Sequence, residues 1–382
     1  MGGDACPGRG WGRLLWRLLW LLLYPLAIGL KELAARNPDF IEMVYARKVY
    51  PALSTAVSAL FGRMTFSFAE FLVYALLGLL LAWIIVVVVK AARRRFNLKR
   101  FVKTLLLFAI IGGLGMNAFY FMWGFNYFRY SVAYSMELEA GERGQQALED
   151  LCAFLAKSAN DLRAVQLEDA DGVFTCPGGK ALLLKKIPAA YEKLAADYPG
   201  FARSFTAPPK PVAASALMSR ADISGIFIPF TAEANVNVHQ PPLLVAASGG
   251  HETAHLMGVA REDEANFIAY LACLHSDDAA VRYSGVMSAL IHAGNALYEV
   301  DPAAYRELRD SYSDGVRRDL DSHREYWAGF EGRVQETADQ INDNYLKQQK
   351  QEDGLRSYGR MVDLLLDFYG KYPFEGTRGR PE

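Results

Sequence analysis

Two uncharged apolar runs, residues 71–89 and 104–125, constrain this chain of 382 residues more than any other feature. As helices rising about 1.5 Å per residue, each is long enough to cross a hydrocarbon core roughly 30 Å thick. A core helix of a soluble domain rarely stays uncharged for that length, and two so close together argue for membrane spans. A third candidate covers about residues 14–30. Its apolar core, 18–30, is short and follows Arg13 and Arg17, whose side chains can snorkel to the interface. A signal peptide has the same outline. No small-residue cleavage site follows, however; the next residues are Lys31-Glu32-Leu33. The expectation is a retained span, and a membrane domain over 1–125 with spans near 14–30, 68–90 and 103–125.

Basic residues in short loops set orientation. The connection between the second and third spans carries Lys90, Arg93, Arg94, Arg95, Lys99, Arg100 and Lys103, and the N-terminus carries Arg9, Arg13 and Arg17. Both are expected on the cytoplasmic side, with everything after about residue 126 outside. Trp123, Tyr127, Phe128 and Tyr130 read as an aromatic belt where the third span leaves the bilayer. Gly112, Gly113 and Gly115 either permit close helix packing or are simply tolerated. Outside the cell a disulfide persists, so Cys152 and Cys176 are candidates for one; spacing alone leaves it open.

Hydrophobic residues make up 52% of the chain and charged residues 22%, which excludes disorder. A net charge of −1 argues against a nucleic-acid binder. The outer part, 126–375, reads as mainly α with a small β element. Helical patterns cover 136–165, with Leu148, Leu151, Phe154 and Leu155 recurring, and 180–197. Pro208, Pro209 and Pro211 mark a loop. Short strands are expected at 223–230 and 234–238. From about 244 the pattern is helical, including an amphipathic stretch at 303–344 with Leu308, Tyr312, Val316, Leu320 and Tyr326. Residues 376–382 read as a disordered tail.

The chemistry lies in His251-Glu252-Thr253-Ala254-His255. On a helix, positions i and i+4 share a face, so both histidines can direct a ring nitrogen at one zinc ion. Glu252 can then reach the water on that zinc rather than the metal, as a general base. Two helix-surface histidines without function are the bland alternative. A catalytic zinc needs a third protein ligand and one open position. Gly258 can end the motif helix in a left-handed turn. A second helix then opens at Glu262, placing Glu262, Ala265 and Asn266 on one face. Glu262 is the expected third ligand and Glu264 the reserve. Asn266 can orient His251, His255 or Glu262. For Asp263 and the other glutamate, a solvated helix N-terminus is expected.

An HExxH followed by a Glu-x-x-Ala-Asn/Asp helix resembles the glutamate-ligand zinc peptidases, the gluzincins. That resemblance implies a zincin-like extracytoplasmic domain, Zn2+ as cofactor and a peptide or protein substrate. Asn266 stands where Asp is usual, the connection between the helices is short, and Arg261 replaces the third histidine of a metzincin. Over nearly the whole chain the sequence also resembles an uncharacterised bacterial membrane-protein family of unknown function, with three N-terminal spans and an HExxH outer domain. The matching segments are Thr65-Phe66-Ser67-Phe68-Ala69-Glu70, Trp123-Gly124-Phe125-Asn126-Tyr127-Phe128-Arg129, residues 229–237, the metal motif, and Tyr345-Leu346-Lys347 through Ser357-Tyr358-Gly359-Arg360. It implies a multi-pass protein of the bacterial cell membrane and no substrate. Gly249-Gly250 depart from the usual helix formers before the first histidine, at roughly 1 kcal/mol each relative to Ala.

Further readings stay open. The strand before the motif either pairs with an extended substrate, Asn235 and Asn237 lining its edge, or is structural. His239 and His292 read as structural. Tyr358 is a candidate hydrogen-bond donor to a tetrahedral oxyanion, or an interface tyrosine. The leading expectation is a membrane-anchored zinc metallohydrolase, a peptidase, with catalytic Glu252 and Tyr358 and ligands His251, His255 and Glu262. The alternatives are a non-catalytic zinc-containing envelope sensor or scaffold, and a zinc amidase acting on envelope material. The expected partners are the lipid bilayer and a peptide or protein substrate; oligomeric state is not legible.

Overall fold

The computed structural model describes residues 18–139, 144–176, 178–349 and 360–372. Helix α1, Leu23–Ala35, continues from a 3-10 turn at Trp20–Leu22. A π-helical stretch, Ile41–Val49, leads into α2, Tyr50–Phe61. Two long helices follow, α3 at Phe68–Ala92 and α4 at Leu98–Met122. Ser67 Oγ accepts from the Glu70 N–H and Asn97 Oδ1 from the Arg100 N–H, so each long helix starts on a side-chain cap. Among the described residues, these two are long and apolar enough to cross a membrane. No residue in the most apolar window of α3 is buried, although Trp83 packs against Phe101 and Phe108 of α4.

The described part of the first candidate span, α1, packs along α4. Tyr24 donates to the Ala109 carbonyl at 2.7 Å, and Asn117 Nδ2 to the Leu23 carbonyl at 2.8 Å. A Cβ at Gly113 would meet Leu23 Cβ at 3.1 Å, and one at Gly112 the Tyr24 hydroxyl at 2.7 Å. Those two glycines therefore admit the neighbouring helix; Gly115 has open space and does not.

The outer part is helical around one small sheet. Helix α5 is Gln145–Arg163; a short helix at Lys180–Leu184 precedes α6, Ile187–Asp197. The pattern read as one helix at 180–197 breaks at Lys185-Lys186, because Pro188 fits only in a first turn. Strand β1, Lys210–Pro211, lies inside the stretch read as a proline loop; a two-residue edge strand tolerates Pro. Helix α7, Ser215–Arg220, precedes β2, Gly225–Ile228, and β3, Glu233–Val236. The order is β1-β3-β2, with β1 parallel and β2 antiparallel to β3. Helices α8, Val245–Leu256, α9, Glu262–Leu274, and α10, Ala279–Val300, follow. The amphipathic stretch at 303–344 is three helices, α11 at Pro302–Asp310, α12 at Asp314–Ala328 and α13 at Arg333–Gln348. Ser313 caps one new start, and Gly332, at φ +151°, precedes the other. Helix α14, Met361–Lys371, closes the described chain.

The main core lies between α5, α9, α10 and α14. Leu151, Leu155, Phe267, Leu271, Met287 and Phe368 are fully buried in it, each stabilising by about 1.5–3 kcal/mol relative to exposure. Leu148, Leu151 and Leu155 carry the inward stripe of α5, as their spacing predicts, with Phe154 packed at its margin. One ion pair is also buried: Arg163 Nε meets Asp319 Oδ2 at 2.6 Å, and Asp319 accepts as well from Tyr283 and the Phe174 N–H. The Cys152–Cys176 bridge is not formed. Both are free thiols taken up by apolar contacts, and burial pushes them to about 12 and about 11.

Candidate metal centre

Helix α8 presents the motif. It ends as the sequence anticipates: Gly258 adopts φ +88°, the Val259 N–H reaches back to the Ala254 carbonyl and the Gly258 N–H to that of His255, both at 3.0 Å. This pair of bonds satisfies helix-end carbonyls that otherwise lack partners. The two glycines before His251 have a packing reason. A Cβ at Gly250 would sit 3.3 Å from Ala269 Cβ and 3.4 Å from Ala269 Cα on α9. One at Gly249 would meet Leu184 Cδ2 at 2.7 Å. The local cost in helix propensity lets α8 and α9 approach closely.

That approach brings the donors together. His251 Nε2 lies 3.1 Å and His255 Nε2 3.6 Å from the same oxygen, Glu262 Oε2. Ligands about 2.0–2.1 Å from a tetrahedral zinc stand roughly 3.3–3.4 Å apart, so these two edges fit that ion. Candidate ligand atoms of all three side chains lie within 4.8 Å of one another, and among the described residues they form the only such group. Each imidazole is oriented through its other nitrogen: His251 Nδ1 against Asn266 Oδ1 and His255 Nδ1 against the Val259 carbonyl, both at 2.7 Å. Nδ1 then carries the proton and Nε2 is left as the metal-facing atom. Burial alone lowers the His255 pKa; the Glu262 carboxylate beside it reverses this and raises it to about 9. Burial likewise works against the Glu262 charge, and the two imidazoles overcome it, holding its pKa well below the carboxylate range.

Glu264, the reserve ligand, is engaged elsewhere. Its Oε1 accepts from the Val132 N–H at 3.0 Å and from Arg261 Nη1 at 2.9 Å. It and Asp263 are buried rather than solvated, which corrects the expectation of an exposed acidic helix start. Burial, then Glu264, raises Asp263 to about 6.

Glu252 is buried beneath the sheet. Burial raises its pKa, while the neighbouring imidazoles and a hydrogen bond from the Phe227 N–H oppose the rise. Strand β2 is the edge strand over α8. The Asn237 N–H binds the Ser224 carbonyl and Gly225 pairs with Val236, so alternation turns the polar groups of Gly225 and Phe227 away from β3. Asn235 and Asn237 do not line this edge. They sit on or just past the central strand, where Asn235 donates to the Ile226 carbonyl and Asn237 to Ser219 and the Ile223 carbonyl.

Tyr358 lies outside the described residues. A different tyrosine feels the charge of the site: burial raises the Tyr345 pKa to about 12, with the Tyr127 hydrogen bond opposing the rise and the Glu262 carboxylate adding to it. Its hydroxyl accepts from Tyr127 at 3.2 Å. His292 of α10 is also close, held down to about 4 by burial and the His251 ring. Neither has a local sequence signal, since both arrive from helices far along the chain. His239 stays remote, against Tyr326.

The residues read as an aromatic belt do something else. Trp123, Tyr127 and Phe128 are buried; only Tyr130, bonded to Asp39, stays at the surface. The Trp123 indole donates to the His255 carbonyl at 2.9 Å, and its ring lies edge-on to His255. Tyr50 donates to the Leu256 carbonyl at 2.9 Å, Arg203 to that of Met257 at 2.8 Å and Arg129 to that of Gly258 at 3.2 Å. The C-terminal end of the metal helix is thus capped mostly by side chains from beside the two long helices.

The segments that carried the family resemblance meet here. Glu233 of β3 accepts from the Phe68 and Ala69 N–H groups at 3.1 and 2.7 Å and pairs with buried Lys210. Glu70 in turn accepts from the Ala213 and Ala214 N–H groups at 2.9 and 2.8 Å. A search of the curated proteins and a search of the solved structures each find no match. The profile described as "Protein of unknown function (DUF3810)" matches residues 45–366, and the chain belongs to that family.

Proposed function

We propose that this chain is a membrane-anchored zinc metallohydrolase acting on peptide bonds, with His251, His255 and Glu262 as the residues that hold zinc. The reading rests on one observation above others. Two imidazole Nε2 atoms converge on a single Glu262 oxygen while both Nδ1 atoms are tied to acceptors. When bound, zinc would supply Lewis acidity, bringing a water's pKa toward neutrality and polarising a carbonyl. Glu252, with a pKa raised by burial, takes the proton of the attacking water on its carboxylate and passes it to the departing amine. The open side of β2 supports recognition of an extended backbone.

The basic turn between α3 and α4 supports a cytoplasmic placement for that turn, which puts the metal centre on the other side of a bacterial cell membrane. Glu252→Gln is the direct test. Zinc content should stay at the wild-type level while cleavage of a quenched-fluorescence peptide library falls by about 10²–10⁴-fold. Undiminished cleavage would remove Glu252 from the mechanism.

A further inference from the structure

Two contacts fix the level of the outer part relative to the spans. At the start of α3, Glu233 caps Phe68 and Ala69, while Glu70 binds the backbone leading into α7. The sheet and α7 therefore stand beside the first turn of a helix whose apolar window has no buried residue. At the end of α4, Trp123 follows Met122 directly and binds the metal helix at His255. One side chain separates the end of a span from a metal ligand.

Several large apolar side chains are exposed near this level. Leu60 and Phe66 before α3, Leu217 of α7, Ile226 of β2 and Phe230 after it are all exposed. A protein surface in water seldom gathers large apolar groups in this way. Here they adjoin the apolar wall of α3, which itself requires hydrocarbon. The same leaflet that surrounds the start of α3 is the surface that covers them, as apolar side chains on interfacial elements sit at the headgroup boundary.

We propose that Leu60, Phe66, Leu217, Ile226 and Phe230 seat the sheet in the outer leaflet, so that the β2 edge above Glu252 opens at the bilayer surface and takes membrane-tethered polypeptides. The substrate half rests on the hydrolase reading; the seating does not. A tethered chain meets the edge at a surface concentration far above its bulk value, which multiplies capture without any new contact.

The test uses the full chain in phosphatidylcholine–phosphatidylglycerol vesicles. A nitroxide is placed at Leu217→Cys, Ile226→Cys or Phe230→Cys in a Cys6→Ser, Cys176→Ser background, where the remaining Cys152 and Cys273 are buried. Val165→Cys, exposed in the turn after α5, and Val300→Cys, exposed at the end of α10, are the aqueous references. The expected result is strong relaxation by oxygen and loss of relaxation by a water-soluble nickel chelate at the first three positions, with the opposite at the references. Nickel relaxation at 217, 226 and 230 equal to the references overturns the seating, whether or not the protein hydrolyses anything. Wild-type protein is then given one peptide pool with and without a palmitoyl anchor. Faster cleavage of the anchored pool, on the order of 10²-fold, supports the substrate class; equal rates overturn it, even with lipid-like labels.

Discussion

Two of the apolar clusters among the described residues are built differently. The large one, between α5, α9, α10 and α14, is mostly aliphatic and phenylalanine side chains, and its tyrosines bond largely within it, as Tyr270 does to Tyr369 and Tyr283 to Asp319 of the Arg163–Asp319 pair at its margin. The small one lies between the membrane-proximal turns and the metal helix, and it is made of Ile41, Tyr45, Tyr50, Trp123, Tyr127 and Phe128 with Ala34 and Ala260. Aliphatic side chains contribute volume; tyrosine and tryptophan contribute volume and a directed polar tip. The first region therefore holds the shape of the outer part. The second holds one end of α8, Trp123 and Tyr50 donating to the His255 and Leu256 carbonyls. The position of His251 and His255 relative to α3 and α4 depends on the smaller region.

The contrast can be broken first in the large core. Phe267→Ala should lower unfolding free energy by about 3–5 kcal/mol, read by chemical denaturation, with zinc affinity unchanged wherever the protein is still folded. A loss of zinc affinity at full stability would show that the two regions are not separable. Asn266→Ala should do the reverse, weakening zinc binding by about 10–100-fold through loss of the acceptor on His251 Nδ1. A competition titration with a chelator measures it, and a melting shift without a binding shift would contradict the orienting role.

Smaller effects sharpen the picture. Trp123→Phe retains a ring and removes the donor to the His255 carbonyl; about 0.5–1.5 kcal/mol of stability should go. Tyr50→Phe removes the donor to the neighbouring Leu256 carbonyl and should cost a similar amount. The double variant should deviate from additivity, because both donors serve one helix end; strict additivity would say that each acts alone. The smallest effect is expected at Asp278, which caps α10 through the Ala280 and Val281 N–H groups and pairs with Lys186. Burial works against its charge, but the Lys186 and backbone hydrogen bonds prevail and lower its pKa. A carboxyl with a lowered folded pKa contributes fully above its ordinary value and loses that contribution as pH falls through the folded one. Asp278→Ala should therefore cost about 1 kcal/mol at neutral pH and progressively less in acid; a constant difference across pH would refute the charged cap.

Local patterns carried much of this into the sequence. The i, i+4 histidines, the left-handed stop at Gly258 and the acidic opening of α9 are all short-range features, and the structure places them as their spacing implies. The two long apolar helices follow from composition, and β3 from alternation. What the sequence concealed is long-range. Tyr345, on a helix beyond residue 330, feels the Glu262 charge, and His292 of α10 that of His251. Strand β1 exists only because β3 is there to pair with it. Trp123, Tyr127 and Phe128 have the composition of a membrane belt, and only the fold shows that all three are buried and that Trp123 caps α8. Asn235 and Asn237 alternate correctly for a strand, but alternation does not reveal which strand becomes the open edge.

The central claim is that Glu262, not Glu264, completes a zinc site with His251 and His255. Metal analysis of the purified protein after zinc supplementation and desalting tests it, with Glu262→Gln and Glu264→Gln alongside. The account predicts stoichiometric zinc in the wild type and in Glu264→Gln, and its loss in Glu262→Gln. Zinc retained in Glu262→Gln, or none bound by the wild type, would contradict it.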